Sequence, residues 1–209
     1  MKTMNHVRFL VASILVALSS LAHAGGNAEA GKAASLVCAT CHGQDGATGI
    51  DPSYPNLAGQ GELYLSRQLE MILSGERPVA LMAGQLNGKS PQDLADLAAY
   101  YASLPGKPGQ AAGDDDSIEL AEKIFRGGIG GKRVAACGAC HGPTGMGNAL
   151  AGFPGIAGQS DAYTIAQLVA YREGERTTDE SFGGMMRDVA HGLTDGEIKA
   201  LADYLKRMH

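Results

Sequence analysis

Cys38-Ala-Thr-Cys41-His42-Gly43 decides how this 209-residue chain is read, because it returns 99 positions later as Cys137-Gly-Ala-Cys140-His141-Gly142. The same offset relates Tyr54-Pro55-Asn56-Leu57-Ala58-Gly59-Gln60 to Phe153-Pro154-Gly155-Ile156-Ala157-Gly158-Gln159. It also relates Tyr64 to Tyr163, Gln68-Leu69 to Gln167-Leu168, and Gly75-Glu76-Arg77 to Gly174-Glu175-Arg176. The offset then grows to 104, pairing Ser90 with Thr194 and Tyr100 with Tyr204, so the second copy holds five extra residues between Arg176 and Thr194. Matches this dense at a fixed period mark an internal duplication.

Each copy carries three helical signals. In the first, a helix capped by Asn27 runs into Cys38. Residues 62–74 space Leu63, Leu65, Leu69, Ile72 and Leu73 near the helical period and stop at Gly75. Ser90, Pro91 and Asp93 then supply a cap, a first-turn proline and a first-turn acid. In the second copy the helices are expected over 117–126, over 161–173 before Gly174, and after Thr194, where Glu197 completes a capping box. The intervening loops are long and Gly-rich, as expected of segments that wrap a bulky group. The fold expected is all-α, two tandem domains of about three helices each. The boundaries are residues 25–106 and 117–209, joined by an exposed Pro-, Gly- and Asp-rich linker over 107–116.

The start of the chain reads as an export signal. Lys2 and Arg8 precede an apolar run from Phe9 to Leu18, and Ala22-His23-Ala24 gives a small-x-small cleavage pattern. The run is too short for a bilayer core, which takes about 20 residues. Removing residues 1–24 leaves 15 basic against 22 acidic residues, a formal −7, which argues against nucleic acid as a partner. The imbalance is uneven. Residues 25–106 carry 8 acidic and 4 basic groups, and residues 117–209 carry 11 and 10.

Two cysteines three apart, followed at once by histidine, point to covalent attachment of a c-type haem. Each thiol adds to one vinyl group, and the imidazole reaches the iron. The covalent ligands expected are Cys38, Cys41, Cys137 and Cys140, with His42 and His141 as axial ligands of two haem c groups. Zinc would need four converging ligands, whereas these pairs sit in separate copies. A thiol–disulfide site usually follows a strand, but helical patterning leads into both motifs. Structural disulfides leave the two equivalent histidines unexplained.

The sixth iron position needs a ligand from the opposite ring face, and methionine there raises the potential. Met82 lies eight residues before the cap Ser90, and Met186 eight before the cap Thr194, which places them in register and favours Met186 over Met185. Met146 follows His141 too closely, Met71 has core spacing, and His191 and His209 read as exposed side chains.

The tandem CATCHG and CGACHG motifs, YPNLAGQ and FPGIAGQ, and the closing DLADLAAYY and EIKALADYL resemble the cytochrome c4 family over essentially all of residues 25–209. These are dihaem proteins built from two class I cytochrome c domains. The resemblance implies a periplasmic electron carrier, peripherally associated with the membrane, between a quinol-oxidising complex or dehydrogenase and a haem-copper terminal oxidase. It implies that the carbonyls of Pro55 and Pro154 accept from the axial imidazoles, and that the domains face each other with haem propionates near the interface. The connection from Pro78 to Met82 is shorter than in some relatives. The rival readings are the dihaem subunit of a flavocytochrome c sulfide dehydrogenase and, with two capped irons against it, a two-haem peroxidase. The acidic first copy is expected to have the lower potential.

Overall fold

A computed structural model describes residues 25–82, 84–109 and 114–208; the export signal expected at 1–24 and His209 lie outside them. Among the described residues there is no strand, only two isolated bridges, Ile129 with Val134 and Asn148 with Phe153.

In the first half, α1 spans Ala28–Ala34, α2 Ala39–His42, α3 Glu62–Ser74 and α4 Pro91–Ser103. Asn27 caps α1 by accepting from the N–H groups of Glu29 and Ala30 at 3.0 and 3.1 Å. The single helix expected to run into Cys38 is broken at Ser35, whose hydroxyl turns back to the carbonyl of Lys32 at 2.9 Å. Gly75, left-handed at φ 81°, ends α3. Ser90 and Asp93 form a reciprocal capping box at the start of α4.

The second half repeats this plan with α5 Asp115–Gly127, α6 Gly138–His141, α7 Asp161–Arg172, α8 Met185–His191 and α9 Asp195–Arg207. Two short 3₁₀ turns, Gly130–Lys132 and Glu180–Phe182, lie between them. Helix α5 begins at Asp115 rather than 117, because Asp114 accepts from Ser117 N–H at 2.8 Å and caps it. The last residues assigned to the linker are therefore the first turn of this helix. Helix α8 has no counterpart among the described residues of the first half.

In each half the last helix is the platform: α1 and α3 pack on α4, and α5 and α7 pack on α9. The α1–α4 crossing is backbone to backbone, since a Cβ on Gly31 would lie 1.9 Å from the carbonyl oxygen of Asp96. Leu65, Leu97, Ala98 and Tyr101 form the first core. The second is larger, with Ile124, Phe125, Val134, Leu193, Ile198 and Leu201 among its members.

The halves meet along a pseudo-two-fold seam. Arg77 donates to Tyr163 and Gln167 at 2.9 and 3.1 Å, and its counterpart Arg176 donates to Tyr64 and Gln68 at 3.2 and 3.0 Å. Arg67 adds a bond to the carbonyl of Gly152 at 2.8 Å and sits over the ring of Phe182. Burial opposes ionisation of Tyr64, but Arg176, Arg77 and Arg67 around it outweigh that and hold its phenol below the usual tyrosine range.

Candidate functional site

A single helical turn builds each Cys-x-x-Cys-His motif. The N–H groups of Cys41 and His42 donate to the carbonyl of Cys38 at 3.1 and 3.0 Å, and those of Cys140 and His141 donate to Cys137 at 3.3 and 3.0 Å. Residues three apart on a turn share a face, so both thiols of a motif can meet one edge of a flat ring. No disulfide joins the four cysteines; Cys38, Cys41 and Cys137 are half-buried and Cys140 is exposed. Burial pushes the Cys38 thiol up and the Cys137 thiol up to about 11. Neither is the depressed thiolate that disulfide exchange requires. Among the described residues, no group of three or more His, Cys, Asp or Glu converges as a metal-ion site.

His42 and His141 are 7% and 6% exposed. Nδ1 of His42 lies 2.9 Å from the carbonyl oxygen of Pro55, and Nδ1 of His141 lies 2.8 Å from that of Pro154. A carbonyl only accepts, so Nδ1 carries the proton in both rings. Burial lowers the affinity of both imidazoles for a second proton, and the proline bonds offset this only in part. Each ring is thus held neutral at pH 7, with the lone pair on Nε2 free for a metal.

The two methionines sit in different surroundings. Met82 is half-buried in a run of turns, its N–H donating to Val79 at 2.9 Å and its carbonyl accepting from Gln85 at 3.1 Å. Leu81 beside it is 69% exposed. Met186 is half-buried in the first turn of α8, whereas Met185 is 40% exposed and Met146 is 56% exposed. His191 is exposed at the end of α8. Asp179, its side chain 4% exposed, accepts from both N–H and Nε of Arg187 at 2.9 Å and so fixes the residue after Met186.

These donors fit haem c: paired free thiols on one turn, and a neutral, oriented imidazole at its end. A family model for cytochrome c matches residues 28–105 and 130–209, one match in each half. Cytochrome c4 of Stutzerimonas stutzeri is 44% identical over 212 residues, covering 97% of this chain and 99% of the relative. The chain belongs to the cytochrome c4 family. The crystal structure of reduced recombinant cytochrome c4 from Pseudomonas stutzeri superposes with a TM-score of 0.83 at 44% identity, covering 88% of this chain and 100% of that one. A thiosulfate dehydrogenase electron acceptor of Thiomonas intermedia is 37% identical over 205 residues, covering 95% of this chain and 89% of the relative. As a cytochrome c4 with two tandem domains, the protein carries two covalently bound haem c groups and is an electron-transfer cytochrome.

Sequence reasoning had not singled out three features: Asp179, the crossed Arg77 and Arg176 network, and the roles of Gln60 and Gln159. The duplication did mark the arginines and glutamines as repeated positions. Asp179 left no such signal, because it lies within the stretch that has no match in the first copy.

Proposed function

We propose that the protein is an exported, non-enzymatic carrier of single electrons, with His42 and Met82 on one iron and His141 and Met186 on the other. Residues 1–24 are removed on export to the periplasm, leaving the domains 25–106 and 117–209. A bound haem c supplies an iron that exchanges one electron without changing its ligands. The chain's part is to fix those ligands. Cys38, Cys41, Cys137 and Cys140 hold each ring by its edge, while Pro55 and Pro154 orient the imidazoles. The thioethers of Met82 and Met186, both half-buried, would fill the remaining iron position and keep exogenous ligands out. The observation that carries this reading is the matched pair of His Nδ1–Pro carbonyl bonds at 2.9 and 2.8 Å.

The partners proposed are a quinol-oxidising complex or dehydrogenase as donor and a haem-copper terminal oxidase as acceptor. Among the described residues no helix is long and apolar enough to cross a membrane, which is compatible with peripheral attachment. Pyridine haemochrome analysis is expected to give two haems per chain, and a redox titration two one-electron steps. Rapid carbon monoxide binding to the ferrous protein at native pH would overturn the closed-iron assignment and favour a peroxidase.

A second reading has its own support. Similarity to thiosulfate dehydrogenase electron acceptors favours a donor from the sulfur-oxidising dehydrogenases, the class that also contains flavocytochrome c sulfide dehydrogenase. Stopped-flow reduction of the oxidised protein by each donor type separates the two readings.

A further inference from the structure

One peptide group in each half is used at both ends. The carbonyl oxygen between Pro55 and Asn56 accepts from Nδ1 of His42 at 2.9 Å, and the N–H of the same peptide donates to Oε1 of Gln159, in the other half, at 2.8 Å. The peptide between Pro154 and Gly155 repeats the arrangement. Its oxygen accepts from His141 at 2.8 Å and its N–H donates to Oε1 of Gln60, across the seam, at 2.7 Å.

Both glutamines are buried, 8% and 9% exposed, and each carboxamide is held at three points. Gln60 Oε1 also accepts from Gly61 N–H at 3.0 Å, and its Nε2 donates to the Gly155 carbonyl at 2.9 Å. Gln159 Oε1 also accepts from Ser160 N–H at 2.9 Å, and its Nε2 donates to the Asn56 carbonyl at 3.0 Å. Two N–H groups face each oxygen and a carbonyl faces each nitrogen, so the reversed carboxamide would lose all three bonds.

We infer that each glutamine is a positioning residue for the other half's iron: Gln159 tunes the His42 centre and Gln60 the His141 centre, each through one shared peptide group. This rests on the reading of His42 and His141 as iron ligands. A peptide is conjugated from nitrogen to oxygen. A bond accepted from its N–H moves negative charge onto its oxygen, and away from water such chains reinforce one another. The oxygen then draws the Nδ1 proton more strongly, and Nε2 becomes the better donor. A better donor favours oxidised iron, so each glutamine holds down the potential of the opposite half.

The test is crossed by design. In the holoprotein, Gln159→Leu should raise the midpoint potential of the first centre and move the His42 Nδ1 proton resonance, while leaving the second centre in place. The internal electron distribution should shift about threefold towards the first centre, roughly 30 mV at about 59 mV per tenfold. Gln60→Leu should give the mirror result. Gln159→Asn and Gln60→Asn, which withdraw the carboxamide but keep the seam polar, should act in the same directions and cover the case in which a leucine variant does not fold. Ser160→Ala removes only the hydroxyl bond to Pro52 across the same seam and should shift neither centre. Shifts in a variant's own half, or equal shifts in both halves, would overturn the inference and leave packing as the glutamines' role. Absence of the imidazole–iron signature from the unaltered protein would overturn the ligand assignment, and the inference with it.

Discussion

Met82 and Met186 hold the same place in the duplication but are secured by different means. Met82 rides on consecutive backbone turns closed by bonds such as Gln85 N–H to Met82 and Lys89 N–H to Leu86, with Leu86, 2% exposed, as the apolar anchor. Met186 sits on a helix that packs against α7 and is tied at its first turn by Asp179. The five extra residues of the second copy fall in the stretch that builds this support. A segment held by local turns opens at lower cost than a helix packed on its neighbour and tied at its first turn to a buried carboxylate in the preceding loop, so the first methionine is the softer of the two.

The largest test of this contrast removes the thioethers themselves. Met82→Ala and Met186→Ala should each abolish the weak Met–iron band of one centre, lower that centre's potential and admit carbon monoxide to its ferrous iron. Full retention of the band in either variant would refute that ligand. In the unaltered protein, rising denaturant should remove the Met82 contribution before the Met186 contribution. Asp179→Ala should narrow or reverse that order, because it leaves the Arg187 guanidinium without its buried partner. A lower unfolding temperature is expected for the second half, because Arg187 also loses the acceptor for its backbone N–H and keeps only the exposed Glu180 as a partner.

The potentials provide a smaller difference. The first half, with 8 acidic against 4 basic groups, should titrate below the second, with 11 against 10; negative surroundings favour the oxidised iron. Spectroelectrochemistry with the centres assigned by the two methionine variants checks the order.

Acid supplies the smallest effect. Burial alone would raise the Glu197 carboxyl, but Lys132 at 2.8 Å and the Thr194 cap outweigh it and hold the group below the ordinary glutamate range. A depressed carboxylate stabilises the fold above its unfolded value, about 4.3, and that contribution is lost as pH falls through the lower folded value. Asp93 in the first-half box is likewise lowered by Ser90, but it is fully exposed. Hydrogen exchange should therefore show α9 losing more protection than α4 below about pH 4, and Glu197→Gln should flatten the α9 response.

Local chemistry made much of the fold legible. Asn27, Ser90 with Pro91, and Thr194 with Glu197 each announce a helix within four residues of the cap, and the structure uses all of them. Helix α8 was not legible, since a seven-residue helix depends on tertiary support, and its buried tether, Asp179, is not part of the helix. The break at Ser35 turns on one hydroxyl that could equally have faced water. At the site, the motifs are what point to each Cys and His, and register alone favours Met186 over Met185, which is the more exposed of the two. Gln60 and Gln159 were visible as repeats, but their partners lie 95 and 103 residues away, a relationship that local patterning does not carry.

The seam closes on itself. Every bond from Gln60 to Gly155 has its twin from Gln159 to Asn56, and the arginines pair in the same crossed manner. In these contacts the seam approaches an isologous one, each half presenting the same glutamine and arginine to the other. The described part of the segment between α4 and α5 adds a bond of its own, Gly109 N–H to the Lys206 carbonyl at 2.9 Å, and its continuity makes permanent an encounter that would otherwise depend on concentration.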